Sequence, residues 1–394
     1  MKNPKVALVY DRVNTPHGGA EQVLLALHNV YPTAPLFTTI YNPQKAPWAK
    51  VFPEITVSFL NKVPLLNKLH RWIPFLMPMA FESFDLNNFD IVISITSAEA
   101  KGVLTLPHQL HICYLLTPPR YLYQDREHSL SSHWIFSIPG MKWFASLFLN
   151  YLTWWDQQAI FRPDVIIPIS ERVSQRVRKY YPGVVPSKII YPPVITNRTL
   201  KNEKESERKL EIPSSFFLIV SRLVSYKHID QAILACNNLG KNLIIVGDGP
   251  EKNKLKTFAK KLLQNKQNKE TTNSKIIFYE NLLDKELHTL YKKCDAFLMP
   301  GEEDFGIVAL EANSYGKPVL INIKSGAAEC IDHTIHGIHI SQENAVEIEK
   351  AIISFEKNTF EKTRLVHNSK KYDTNTFTEN FITTVNNLWQ KNRK

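Results

Sequence analysis

The stretch AFLMPGEEDFGIVALEANSYGKPVLI, residues 296–321, decides the fold. Ala296 to Met299 is an unbroken apolar run, the pattern of a strand covered on both faces in a parallel sheet. Pro300 and Gly301 end it, three acids fill the turn, and Gly306 opens a helical segment. Pro318 to Ile321 then reads as a second buried strand. Strand, helix, strand is one α/β unit, and the same alternation continues outward. Phe216 to Val220, Leu243 to Val246 and Lys275 to Phe278 are further short apolar runs in this half. In the first half, Lys5 to Tyr10, Ile91 to Ile95, His111 to Leu116 and Val165 to Ile169 do the same, with helical patterns between them. Two doubly wound α/β domains are expected, facing each other across a cleft, with ligand loops at the carboxyl ends of the strands. Tyr191-Pro192-Pro193-Val194 and the charged run KNEKESERK from Lys201 place the junction near 192–212.

The chain has 394 residues, 44% hydrophobic and 22% charged, enough apolar material for two cores and too much for a disordered chain. Forty-eight Lys and Arg against 37 Asp and Glu leave a net charge of +11. That charge suits an anionic lipid surface or nucleic acid, but no basic run is interleaved for groove binding, so no nucleic-acid partner is expected. Four cysteines without a CxxC pair point to a reducing compartment. The apolar start Val6 to Tyr10 is too short for a signal peptide, and a cytoplasmic location is expected. Glycine is the most informative residue type. The chain has only thirteen, about half the usual share of roughly 7%, so each one marks a place where backbone geometry demands it. Eight fall in five clusters: Gly18-Gly19, Gly247 and Gly249, Gly301 and Gly306, Gly316, and Gly326.

Three constellations, two of them at these clusters, carry candidate chemistry. The unpaired amides near Gly306, Ile307 and Val308, at the start of the helix, suit a phosphate. Glu311, on the first turns of that helix, has the chemistry to accept from ribose hydroxyls, and Glu303, on the acidic loop, to hold sugar hydroxyls. A capped surface helix with an acidic first turn accounts for the same residues. SRLVSYKHID, Ser221 to Asp230, follows a strand and places Arg222 and Lys227 to bracket a diphosphate, taking charge that a metal would otherwise neutralise; two solvated cations is the plainer reading. Gly247-Asp248-Gly249 allows close backbone approach, but the third glycine of GxGxxG is missing here and after Gly18-Gly19, which argues against a nicotinamide enzyme. No Asp-x-Asp offers a divalent-metal clamp. Cys330, His333, His336 and His339 recur every three residues, but Gly337 breaks a helix and a strand would set neighbours on opposite faces, so no metal is expected. Asp11, His17, His108, His111 and Arg120 are polar candidates at the strand ends of the first domain, and no triad spacing selects among them.

Residues 134–155 hold four of the seven tryptophans and one charge, Lys142. The uncharged run after Lys142 is too short to cross a bilayer. It suits a helix lying in a membrane interface, or one packed in the first core or against a partner. LNKLHRWIPFLMPMAF, from Leu66, has the same mixture of cations and large apolar residues.

The order GGAE (Gly18 to Glu21), AKGV (Ala100 to Val103), HICY with TPPRYLY (His111 to Tyr123), IIYPPV, SRLVSYKHID, GDGPE and PGEEDFGIVALEA resembles a family 4 glycosyltransferase of GT-B fold. Within that family the chain is most similar to bacterial mannosyltransferase-type enzymes of O-antigen and polysaccharide assembly. The resemblance spans essentially the whole chain. It implies a retaining, metal-independent transferase that moves a hexose, mannose being the candidate, from a GDP- or UDP-linked donor to a lipid-linked or surface-polysaccharide acceptor. Residues 1–195 would be an acceptor-binding Rossmann-like domain, residues 196–376 a nucleotide-sugar-binding one, and 377–394 a C-terminal helix packing back on the first. Glu303 and Glu311 would be the two acids of the family's E-x7-E element, the first facing the donor sugar and the second the ribose. Arg222 and Lys227 would be the diphosphate cations. Asp304, Phe305, Gly306, Ile307 and Val308 would complete the pocket with Gly247 and Gly249, and Gly18 and Gly19 would approach the diphosphate. No cofactor is implied beyond the donor itself, and lipid-linked acceptors would bring the enzyme to the inner face of the plasma membrane. The chain departs from the family at Leu116, where relatives carry a histidine thought to touch the donor sugar. That departure leaves two rival expectations: a partner subunit that binds sugar nucleotide or glycan without turnover, and an epimerase or hydrolase on the same fold.

Overall fold

The structure, a computed structural model, describes residues 4–62, 74–124, 126, 141–196, 210–266 and 274–393. The charged run from Lys201, residues 134–140 of the Trp-rich stretch, and residues 66–73 of the patch from Leu66 lie outside the described residues. Two compact units emerge: Met1–Pro193 with Phe377–Lys394, and Val194–Thr376.

The first unit is built on a parallel sheet of β1 (Val6–Tyr10), β2 (Leu36–Thr38), β3 (Ile55–Val57), β4 (Ile91–Thr96), β5 (Leu110–Leu115) and β6 (Val165–Pro168), in the order β3-β2-β1-β4-β5-β6. Every residue of β1, β4 and β5 is buried, which is why these strands read as continuous apolar runs. The strands β2 and β3 were not legible: three residues each, LFT and ITV, they are recognisable only by their register against β1 and each other. Helix α1 (Gly19–Val30) follows the first loop, α2 (Met141–Ala159) precedes β6, and α3 (Glu171–Tyr180) follows it, capped by Ser170, whose hydroxyl accepts from the Val173 amide at 3.1 Å.

The second unit repeats the plan with β7 (Phe217–Val220), β8 (Leu243–Val246), β9 (Ile276–Tyr279), β10 (Ala296–Met299), β11 (Val319–Asn322) and β12 (Gly337–Ile340), in the order β12-β11-β10-β7-β8-β9. Read from the other edge, this is the strand order of the first unit. The edge strand β12 went unread because GIHI mixes glycine and histidine with its two isoleucines. The chain runs on through helices α4 (Ile229–Leu239) and α5 (Ile307–Ser314) to α6 (Thr374–Asn392). From Phe377 onward α6 belongs to the first unit, where Phe377 and Phe381 pack edge-on against Tyr114, both at 5.8 Å between ring centres.

In a doubly wound sheet, ligands bind where the strand order reverses, outside the carboxyl ends of the two central strands. Those switch points lie between β1 and β4 in the first unit and between β7 and β10 in the second.

Candidate functional site

The second unit's switch point is formed by the loop after β7, Ser221 to His228, and the loop after β10, Pro300 to Gly306. The two loops are packed backbone to backbone. A Cβ on Gly301 would collide with the Lys227 Cα and the Tyr226 carbonyl, so only glycine allows this approach. The loop after β11 braces the acidic turn from its other side. Asn322 Nδ2 donates to the Pro300 carbonyl at 2.9 Å, and the Ser325 hydroxyl accepts from the Glu303 amide at 3.0 Å and donates to the Gly301 carbonyl at 3.1 Å. The amides of Gly326 and Ala327 then donate to the carbonyls of Glu303 and Phe305 at 3.0 and 2.7 Å. Asn322 and Ser325 were not among the sequence-derived candidates; the Gly326 cluster was the only signal beside them.

Within this frame Lys227 and Glu303 form an ion pair, with 12% and 16% of their side chains exposed. The cation expected to hold a diphosphate is therefore held by the acid expected to face the sugar. His228, next in the chain, sits in the left-handed region at φ 49°, which a residue with a side chain adopts only under local constraint. Gly306, at φ 98°, turns the chain into α5, and the first-turn amides of Ile307 and Val308 meet no acceptor among the described residues. Arg222 is exposed at the start of the β7 loop and forms no ion pair among the described residues. Phe305 is buried and Asp304 half-buried.

Gly247 and Gly249 were read as points of close approach to a ligand; a Cβ at either would strike the chain's own backbone, at Ser221 and Leu223 respectively. Their smallness lets the β8 loop lie on the β7 loop, where the Leu223 amide donates to the Asp248 carbonyl at 2.9 Å. Glu311 is buried at 4% exposure and accepts from the Tyr291 hydroxyl at 3.4 Å, so in this state part of its hydrogen-bonding capacity is met inside the unit.

The first unit's switch point holds a polar cluster that sequence reading met only at Asp11. Asp11 accepts from Thr96 Oγ1 at 2.7 Å and from the Ser97 and Ala100 amides, both at 2.8 Å. This carboxylate fixes the loop after β4 instead of facing solvent. Glu99, on that loop, accepts from Arg12 at 2.8 Å and from the Tyr121 hydroxyl at 2.6 Å. Burial lifts the Glu99 carboxyl above its ordinary range against the pull of Arg12, while Glu99 and Asp11 hold the Arg12 guanidinium above its own despite burial. Gly18 caps α1 and is followed by the exposed Gly19. His111 is fully buried against the Ser94 hydroxyl, 2.9 Å from its Nε2, while His17 and His108 are exposed. Leu116 is 8% exposed, its amide donating to the Thr96 carbonyl at 2.8 Å.

The run Cys330, His333, His336 and His339 is threaded into backbone hydrogen bonding. His333 Nδ1 accepts from the His339 amide, His339 Nε2 lies 2.7 Å from the Ile331 carbonyl, and His336 Nδ1 accepts from the Asp332 amide.

Residues 201–372 match the family described as glycosyl transferases group 1. Over 132 residues the chain is 31% identical to an uncharacterized glycosyltransferase of Methanocaldococcus jannaschii, a match covering 32% of each chain; the chain thus spans about a third of that relative's length. Among solved structures it is similar to Anabaena HepE in complex with UDP-glucose, at TM-score 0.64 and 18% identity over 98% of this chain and 100% of that one. It is also similar to the lipopolysaccharide outer core galactosyltransferase WaaB, at TM-score 0.61 and 17% identity over 97% and 99%. The fold class is GT-B: two Rossmann-like α/β units, each on a six-stranded parallel sheet.

Proposed function

We propose that this chain is a retaining, metal-independent glycosyltransferase that moves a hexose, mannose being the candidate, from a nucleoside-diphosphate sugar to a lipid-linked or surface-polysaccharide acceptor. The second unit holds the donor and the first the acceptor, at the cytoplasmic face of the plasma membrane. One observation carries the reading: at the β7/β10 switch point, Lys227 lies beside Glu303, which stands four residues ahead of Ile307, where the unpaired amides of α5 begin.

A diphosphate brings more negative charge than one carboxylate, so it displaces Glu303 from Lys227 and leaves that acid to face the sugar hydroxyls. Arg222 and the amides of Gly306, Ile307 and Val308 take the rest of the charge. In the transfer step the bond from the anomeric carbon to the phosphate oxygen breaks and the diphosphate leaves with the electron pair. The acceptor hydroxyl bonds that carbon from the same face, and its proton passes to the departing diphosphate. Charge that builds on the leaving group is met by fixed cations and dipoles, where such stabilisation is strongest. Each of Arg222→Ala and Lys227→Ala should cost on the order of 10²-fold in turnover, and EDTA should leave turnover unchanged. Transfer that survives both substitutions would overturn the mechanism.

The HepE structure holds UDP-glucose on the same fold, which makes uridine donors the first to screen, with guanosine donors beside them. A ligand that binds only the native state raises the melting temperature more the tighter it binds, so thermal shift at one donor concentration ranks the donors. A second reading rests on Leu116, which has no hydrogen-bond donor to offer a sugar: a subunit that binds donor or glycan without turnover. Tight donor binding with no transfer to any lipid-linked acceptor would favour that reading; donor consumed without acceptor would favour an epimerase or hydrolase.

A further inference from the structure

We propose that the cleft at the far end of α5 is a second ligand site of this unit, built for a small molecule that carries phosphate groups. The cleft measures about 510 Å³, and Lys292, Lys317 and Lys362 line it together with His288 and Tyr315. That volume is typical of small-molecule sites. Its place follows from the sheet. Lys292 stands four residues before β10 and Lys317 two before β11, so the cleft opens at the amino ends of strands whose carboxyl ends carry the donor loops. The length of α5, about 12 Å of helix, separates it from the first-turn amides of Ile307 and Val308.

The fold sets each of these cations in place. Lys292 lies in the last turn of the helix Asp284–Lys293, where it also offsets the negative end of that helix. Lys317 follows Gly316, which closes α5 at φ 70°. The stem of Lys362 lies across this glycine: a Cβ on Gly316 would come within 2.3 Å of the Lys362 Cγ. Lys362 is the first residue of the helix Lys362–Lys370, the end at which the helix dipole opposes a cation. The acid before it, Glu361, is engaged by Arg364 at 2.8 Å and by the Thr363 hydroxyl. Helix capping therefore accounts for Lys292 alone. Elsewhere in the unit Lys227, Lys241, Lys252 and Lys275 each pair with a carboxylate. Among the described residues Lys292, Lys317 and Lys362 pair with none, and no carboxylate lines the cleft. The concave wall concentrates the field of this unanswered charge.

The ligand class follows from the charge and from the wall. A phosphate ester carries about 1.5 to 2 negative charges at pH 7, so two phosphates answer three ammonium groups within a small volume. Lysine meets phosphate as a point charge and needs no paired geometry. The Tyr315 ring gives the organic part of the ligand a fixed wall. It stacks on Tyr291 at 5.0 Å between ring centres and 4° from parallel, and its hydroxyl lies 2.8 Å from His288 Nδ1. This inference stands whether or not the second unit transfers sugar.

Calorimetry on the full chain with Arg222→Ala/Lys227→Ala, which removes the donor-loop cations, should show pyrophosphate binding at one site. Citrate, a comparable charge on carboxylates, should bind at least tenfold more weakly at the same ionic strength. Adding Lys292→Gln/Lys317→Gln/Lys362→Gln should weaken pyrophosphate binding at least tenfold with the melting temperature kept. Adding Lys256→Gln/Lys260→Gln/Lys261→Gln instead, three exposed lysines elsewhere in the unit, should change it less than twofold, which separates a site from net charge. No pyrophosphate binding once the donor-loop cations are gone would assign that ligand to the donor site and overturn the proposal. Citrate bound equally well would remove the phosphate class, and equal losses from the two lysine triples would reduce the cleft to general attraction; either result also overturns it.

Discussion

His111 shows how far one residue can be read from its neighbours in the chain. On sequence it is a histidine at the start of a strand and a candidate base. In the fold it is wholly buried, bonded to Ser94 of the adjacent strand, with Nδ1 unpartnered among the described residues. Burial, then the nearby charge of Arg162, push its pKa down to about 3. The unfolded chain takes up a proton near pH 6.5 that the folded one refuses until about pH 3. Stability is therefore complete above pH 6.5 and drains as the pH falls toward 3. That drain approaches about 1.4 kcal/mol per pH unit. His111→Gln should flatten this part of the profile in urea unfolding at pH 7, 6 and 5. An unchanged slope would mean the native histidine accepts its proton at an ordinary pH. The partner that decides the role of His111 comes from another strand, which no local pattern reveals.

At the scale of elements, α2 was legible as an apolar helix but its orientation was not. Both sides of the helix are apolar, so periodicity cannot choose between them. The choice falls to a single charge, Asp156, which is stable inside the unit only opposite Lys101, with the hydroxyls of Tyr123 and Tyr181 also donating to it. Lys101→Met should leave that carboxylate buried and unpaired and cost about 3–5 kcal/mol in chemical denaturation. Adding Asp156→Leu should recover most of the loss. A double variant no more stable than Lys101→Met would show that the tyrosines, not the ion pair, secure the helix. The short strands β2 and β3 escaped for a related reason. Three residues hold too little pattern, and pairing with β1 makes them strands.

At the scale of the whole molecule, the chain leaves the first unit at Pro193 and returns to it at Phe377. The second unit's two ends lie side by side, with the Val194 amide donating to the Tyr372 carbonyl at 2.9 Å. The returning helix buries Phe377, Phe381 and Val385, so the first unit is completed only after the second has been made. Phe381→Ala should cost about 3–5 kcal/mol. The loss should appear as faster hydrogen exchange in β5, with β7 to β10 unchanged. Equal acceleration in both units would mean that they unfold as one body.

The amino-acid sequence alone determined that this is a two-part α/β protein with an acidic, glycine-bounded turn opening a helix and a cation-bearing loop after an earlier strand. Those features are local: apolar runs, turn residues and helix starts act over a few neighbours. Only the tertiary structure decided that the two loops meet, because the sheet order sets β7 beside β10. The same packing closed Lys227 on Glu303, placed Gly247 and Gly249 against the chain's own backbone, and turned Trp143, Phe148 and Trp154 of α2 outward. Each of these depends on which distant group arrives to neutralise a charge or fill a space.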